Sequence, residues 1–425
     1  MRILVVSALY PPVAFGGYEV ECSGVVEHLR ERHEVLVLTS AAPAGSLAGE
    51  PDVRRELARL TQDARGALRA PLASVAAAGA ARRALAWEPE MIYVWNGASI
   101  PQSSLRVLAD SGLPLAFRVC EHWFGGLFAF DQFMRELLPA RRDPARRAWS
   151  AGARALNRLP QLRLRPTAPV RAAISWNSQA IRRMVATPGF VEATLERVGH
   201  SVPRHGELYE RVVREPSAEP SIAFLGRVTE YKGVAVAIEA LARLESAHGL
   251  SAGLVVVGPE DAGYGARMRE LAMRLGVAER VSWRGQASPE QAAAELARAH
   301  ALIVPSLWEE PFPLVTIEGA FARVPLVASD VGGIGEGMHD ERHALLFARG
   351  DVDAAAAALA RTLREPEQTA ARVRRAHDRA RREFTLGPYL EAQEGFVLDA
   401  HAALLSAAGR FPRPVPGPRG AASAC

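Results

Sequence analysis

Short apolar runs punctuate the chain at 2–7, 34–39, 91–95, 115–119, 172–176, 221–225, 254–257, 281–284, 301–304, 325–328 and 344–347. Runs of this length with little polar alternation mark strands covered on both faces, as in parallel sheets. Between several of them, apolar positions return at helical spacing, at about 19–32, 234–246, 315–322, 351–364 and 387–405; in the first, Val20, Val25, Val26 and Leu29 form the inner side. The pattern predicts repeated βα units of an α/β fold, with 172–176 as the last strand of a first set and 41–90 mostly helical or loop-like.

At 425 residues the chain is too long for one ordinary core and suits two domains. The βα rhythm decays into Pro, Gly and charged residues across 201–220 and restarts at 221, which divides the chain into 1–200, a linker at 201–220, 221–385 and a helical segment at 386–410. The stretch 411–425 is rich in Pro, Gly, Ala and Ser and is expected to be a disordered tail.

The densest chemistry lies at 304–336. Seven residues separate Glu310 from Glu318, and Pro311 and Pro313 stiffen the backbone between them. With a strand at 301–304 and a helix from 315, Glu310 falls in the loop and Glu318 in the first helical turn, where the helix dipole favours a carboxylate. A second strand, 325–328, ends in Asp330-Val331-Gly332-Gly333, so two strand ends open on one crevice. The strand at 221–225 runs into Gly226-Arg227 and then Lys232-Gly233 ahead of a helix, a geometry for holding a diphosphate. Lys232 is the only lysine among 51 Lys and Arg. Gly258 ends the next strand, and Gly16-Gly17 stand before the first helix, where absent side chains let a ligand reach the backbone; both are also ordinary turn signals. After the strand at 115–119, Glu121 and His122 are candidate polar groups.

The segment SLWEEPFPLVTIEGA resembles the E-x7-E signature of retaining nucleotide-sugar glycosyltransferases, family 4, and GRVTEYKG resembles the Gly-Arg…Lys-Gly phosphate motif of the same family. The resemblance is strongest over 221–347. It implies a GT-B fold, two Rossmann-like domains facing each other across a cleft. It implies Arg227 and Lys232 on the leaving diphosphate, Glu310 on the donor sugar, Glu318 on the ribose, and Gly16, Gly17, Gly226, Gly258, Phe312 and Leu314 lining the donor site. His122 falls near the family's His position, although aligning Trp123 with the family's aromatic puts Cys120 there. Pro313 replaces the family's usual Gly and removes a backbone N–H.

The activity so implied is transfer of a hexose-type sugar to an acceptor hydroxyl without a metal or other cofactor, the nucleoside diphosphate sugar (a UDP-sugar being frequent in the family) serving as donor. Carbohydrate, lipid-linked and small natural-product acceptors all suit it. A nucleotide-sugar 2-epimerase and a catalytically silent scaffold share the layout. Asp351-Val352-Asp353 reads as helix capping rather than a metal site. Net charge is only +4, which gives no argument for nucleic acid. The Arg-rich stretch 135–171 reads either as a solvated helix or as a basic face for an anionic membrane. Cys22, Cys120 and Cys425 form no metal pattern, and no apolar run approaches a membrane span, so the expectation is a cytoplasmic protein, with peripheral contact at the inner membrane face left open.

Overall fold

The computed structural model describes residues 1–13, 17–41, 50–58, 64–127 and 165–408. Its strands form two separate parallel sheets. The first contains β1 (Arg2–Ser7), β2 (Glu34–Ser40), β3 (Val53–Leu57), β4 (Met91–Asn96), β5 (Leu115–Val119), β6 (Val170–Trp176) and β7 (Val191–Val198), in the order β3-β2-β1-β4-β5-β6-β7. The second contains β8 (Ser221–Leu225), β9 (Gly253–Val257), β10 (Val281–Gly285), β11 (Ala301–Val304), β12 (Leu326–Ser329) and β13 (Leu345–Phe347), in the order β10-β9-β8-β11-β12-β13. Each is a doubly wound sheet whose strand order reverses once, between β1 and β4 and between β8 and β11.

Alternation along each strand sorts the apolar residues onto two faces. Ile3 and Val5 of β1 and Tyr93 and Trp95 of β4 join one core, while Leu4, Val6, Ile92 and Val94 join another. The same division separates Leu302 and Val304 from Ala301 and Ile303 in β11. Each Val, Leu or Ile among them contributes about 1.5–3 kcal/mol on burial, so both faces must be covered by helices. One core runs continuously from the first sheet through Phe312, Phe321 and Phe384 to the second, which packs the two domains against each other.

Three elements differ from the sequence reading. Residues 172–176 are not the last strand of the first sheet, because β7 follows and forms its edge. The segment 41–90 contains β3 as well as the helix Ala64–Leu85. Within 201–220 the helix Gly206–Glu210 docks on the helix Leu314–Phe321, with Tyr209 buried. The proposed tail from 411 and the arginines of 135–164 lie outside the described residues. Among the described residues no helix is long and apolar enough to cross a membrane, and no His, Cys, Asp and Glu group could hold a metal ion. Asp351 does cap its helix, accepting from the Ala354 N–H at 2.9 Å.

The final helix, Leu386–Ala408, packs on β5, β6 and β7 and on the helix Gly17–Arg30. Its Glu394 is buried against Arg32 at 2.5 Å, His28 at 3.0 Å and His33 at 3.1 Å. Nearby, Arg118 of β5 is completely buried and would be intolerable there unpaired. Its guanidinium donates to Glu21 Oε1 at 3.0 Å, Ser175 Oγ at 3.0 Å, the Gly199 carbonyl at 2.8 Å and Ser201 Oγ at 3.2 Å, and lies 3.4 Å from the Tyr389 hydroxyl. One charge thus ties the first helix, β6, the chain crossing near 200 and the final helix. Arg118→Ala should cost about 3–5 kcal/mol because it strands Glu21 in the core. Chemical denaturation measures this, and a loss under about 1 kcal/mol would show that the network is not holding these elements.

Candidate functional site

The carboxyl ends of β8 and β11 are neighbours at the point where the second sheet reverses its strand order, the place where open α/β sheets bind ligands. The loop after β8 carries a single helical turn, Glu230–Lys232, then Gly233 in the left-handed region at φ 72°. A Cβ on Gly233 would lie 1.8 Å from the Pro305 carbonyl oxygen, so only glycine lets this loop close on the loop after β11. The Leu307 N–H donates to the Tyr231 carbonyl at 2.8 Å and fixes the two loops in register.

That closure sets Lys232 Nζ 2.7 Å from Glu310 Oε1, and Ser306 Oγ donates to the same oxygen at 2.6 Å. Glu310 is buried while Lys232 is partly exposed, so the carboxylate is fixed and the ammonium borders the cleft. Tyr231 and Trp308 meet edge to face with ring centroids 5.4 Å apart, and Lys232 Nζ lies 5.9 Å and 5.5 Å from their centroids. Both rings add to the ammonium's attraction. Glu309 pairs with Arg349 and accepts from the Gly332 N–H at 2.9 Å, while Gly333 N–H donates to the Glu310 carbonyl at 2.7 Å.

Glu318 is not in the first turn as the sequence predicts. The helix begins at Leu314, directly after Pro313, which places Glu318 in its second turn. No hydrogen bond or ion pair of its carboxyl occurs among the described residues, and burial pushes it up from 4.5 to about 7. Gly17 opens the first helix against this one. A Cβ there would lie 2.8 Å from Leu314 Cδ1, so the domains are in contact across the cleft. Opposite the Lys232 loop, the turn His122–Gly126 follows β5 and brings the His122 ring within 6.4 Å of Trp308. Glu121 faces cleft solvent although protein surrounds most of it; that enclosure and Glu19 push its carboxyl up to about 7, against the opposing pull of Lys232.

Other predicted residues stand elsewhere. Arg227 does not join Lys232: its guanidinium donates to Asp261 at 3.2 Å in an exposed pair. Gly226 and Gly258 are in backbone contact at the ends of β8 and β9. Phe312 does not line the cleft; its ring is buried on His200, centroids 4.6 Å apart, and near Phe384, so only its backbone can serve a donor. Gly16 lies outside the described residues. Ser306, Tyr231 and Trp308 were missed by sequence reasoning. Only Ser306, four residues before Glu310 at a strand end, carried a local signal.

Residues 207–379 match the sequence family described as Glycosyl transferases group 1. This segment is a glycosyl transferases group 1 domain. It contains Arg227, Lys232, Glu310 and Glu318. A glycogen synthase of Mycobacterium tuberculosis is 32% identical over 220 residues, 49% of this chain and 50% of that protein. The chain spans about half the length of the glycogen synthases it matches and less of its other curated relatives. Over nearly the whole chain the fold is GT-B. Sucrose-phosphate synthase from Thermosynechococcus elongatus superposes with a TM-score of 0.70 at 19% identity, covering 95% of this chain and 99% of that one. Anabaena Alr3699/HepE in complex with UDP-glucose gives 0.62 at 19% identity, covering 97% and 100%.

The raised Glu318 carboxyl in the group 1 domain has a thermodynamic consequence. Between pH 4.5 and about 7 the folded chain holds this proton more tightly than the unfolded chain, so its contribution to stability falls as pH rises through that window. Glu318→Gln should therefore melt progressively higher relative to wild type from pH 4.5 to about 8. Thermal melts at the two ends check this, and a difference independent of pH would contradict the assignment.

Proposed function

We propose that the protein is a retaining glycosyltransferase that moves a hexose-type sugar from a nucleoside diphosphate to an acceptor hydroxyl without a metal ion. The observation that carries this reading is the Lys232–Glu310 pair held at the β8–β11 strand ends, with Glu318, which has no hydrogen bond or ion pair among the described residues, in the second turn of the helix that follows. The group 1 domain supports the reaction class, and UDP-glucose bound to a protein of the same fold supports a nucleotide-sugar donor.

In this reading the donor's diphosphate draws Lys232 off Glu310, and the freed carboxylate accepts from a hydroxyl of the sugar. Glu318 accepts from the ribose. Arg227 leaves Asp261 to meet the second phosphate; an exposed pair of this kind is worth only about 0–1 kcal/mol, so the exchange costs little. The sugar's C1–O bond to the diphosphate breaks as negative charge gathers on the departing oxygen, and preorganised cations there lower the barrier most. The acceptor oxygen bonds C1 from the same face and passes its proton to the departing phosphate, so no protein base is required. His122, facing Trp308 across the cleft, reaches the donor sugar, with Glu121 beside it.

The test is incubation of the full chain with UDP-, GDP- and ADP-sugars and an acceptor panel in EDTA, with product anomers assigned by NMR. The expected result is one donor turned over with its anomeric configuration kept, and activity lowered about 100-fold or more by Lys232→Ala and by Glu310→Ala with the fold intact. Inverted product, activity abolished by EDTA, or wild-type rates in both variants would overturn the mechanism.

A further inference from the structure

Glu310 is connected to the first domain by a short path that the reaction itself does not use. After β12, Gly332 adopts φ 53°, and a Cβ there would lie 2.1 Å from the Glu310 carbonyl oxygen. The two glycine N–H groups bind Glu309 and the Glu310 carbonyl, so this turn and the Glu310 loop move as one piece. Three residues beyond Gly333, the side chain of Glu336 leaves the second domain. Its carboxylate accepts from the Gln179 N–H at 2.8 Å and the Ala180 N–H at 2.5 Å, in the helix that follows β6. His200 Nε2 lies 3.3 Å away and Arg183 Nη2 3.6 Å away. The Glu336 carbonyl accepts from Arg379 at 2.8 Å, which anchors the turn from behind.

The same loop reaches both chain crossings between the sheets. Phe312, two residues after Glu310, stacks on His200 at the first crossing and lies 5.7 Å from Phe384 at the second. Arg379 sits over the Phe384 ring, 5.7 Å from its centroid. The residues at the crossings are therefore packed directly on the loop that carries the sugar-binding carboxylate.

We infer that Glu336 is a positioning residue: by clasping the Gln179 and Ala180 amides it seats the Gly332-Gly333 turn, and through it Glu310, when the domains are closed. The inference rests on the transferase reading. Separating the domains removes the two amides from Glu336, leaves the turn without its outer support and loosens Glu310. Donor binding to the second domain alone does not require the clasp, whereas cleavage of the sugar bond does.

The experiment uses the full chain with UDP as the binding probe and UDP-glucose with water as acceptor, so that the C1–O bond to the diphosphate breaks, water bonds to C1 and UDP is released. Glu336→Ala should leave UDP affinity within about twofold of wild type while kcat for UDP-glucose hydrolysis falls about tenfold or more at little change in KM. Glu336→Gln keeps one acceptor oxygen, preserves folding and should fall between the two. Hydrogen exchange gives a readout that needs no turnover: in Glu336→Ala both Gln179-Ala180 and the 306–312 loop should exchange faster. Unchanged kcat, UDP affinity lost in parallel with rate, or faster exchange confined to Gln179 and Ala180 would overturn the inference. A wild-type protein that neither binds nor hydrolyses any of the UDP-, GDP- and ADP-sugars would instead count against the transferase reading, and the exchange comparison would still decide the coupling.

Discussion

A carboxylate keeps its charge inside a protein only where other groups replace the water it gave up. Glu310 has two such replacements, Lys232 and Ser306, both on the same oxygen. Much of the surrounding architecture serves that contact. Lys232 arrives because Gly233 lets its loop close on Pro305, Ser306 because it stands two residues past the end of β11, and the Glu310 backbone is held by Gly333. The arrangement is exchangeable: a ligand with a diphosphate and a hydroxyl offers each member of the pair a new partner of the same type. An ammonium at the solvent edge and a carboxylate fixed beneath it are suited to that exchange.

The second constraint is the joining of two sheets. Each is a complete doubly wound sheet, yet one apolar core runs through both and the final helix returns to the first. Arg118 and Glu394 are the charged fasteners on the first domain, each buried with its partners in place. At the cleft the contacts are sparser: Gly17 on Leu314, His122 near Trp308, and Glu336 on the Gln179 helix. Such contacts can part and re-form without exposing the core.

Buried strands were the most legible part of the sequence. Residues 115–119, 221–225 and 301–304 were bounded to the residue, since each lies inside a parallel sheet and is covered on both faces. β3 and β7 were missed, and they are the two edges of the first sheet. Their sequences, VRREL and VEATLERV, carry the charges that edge strands use against unwanted pairing, which erases the apolar run. At the site, local spacing marked Lys232 and Glu310, which stand seven and six residues past the ends of β8 and β11, and Glu318 through its distance from Glu310. It could not foresee that Asp261 holds Arg227, that Phe312 turns toward His200, or that Glu336 reaches Gln179. Those contacts join segments far apart in the chain and leave no local period.

Lys232 is proposed as the cation that receives the donor's phosphates. Calorimetric titration of wild type and Lys232→Ala with UDP and with uridine, at low salt and in EDTA, tests it most directly. Wild type should bind UDP far more tightly than uridine, and the variant should lose most of this difference while its uridine affinity is unchanged. An undiminished preference for UDP in Lys232→Ala would contradict that role.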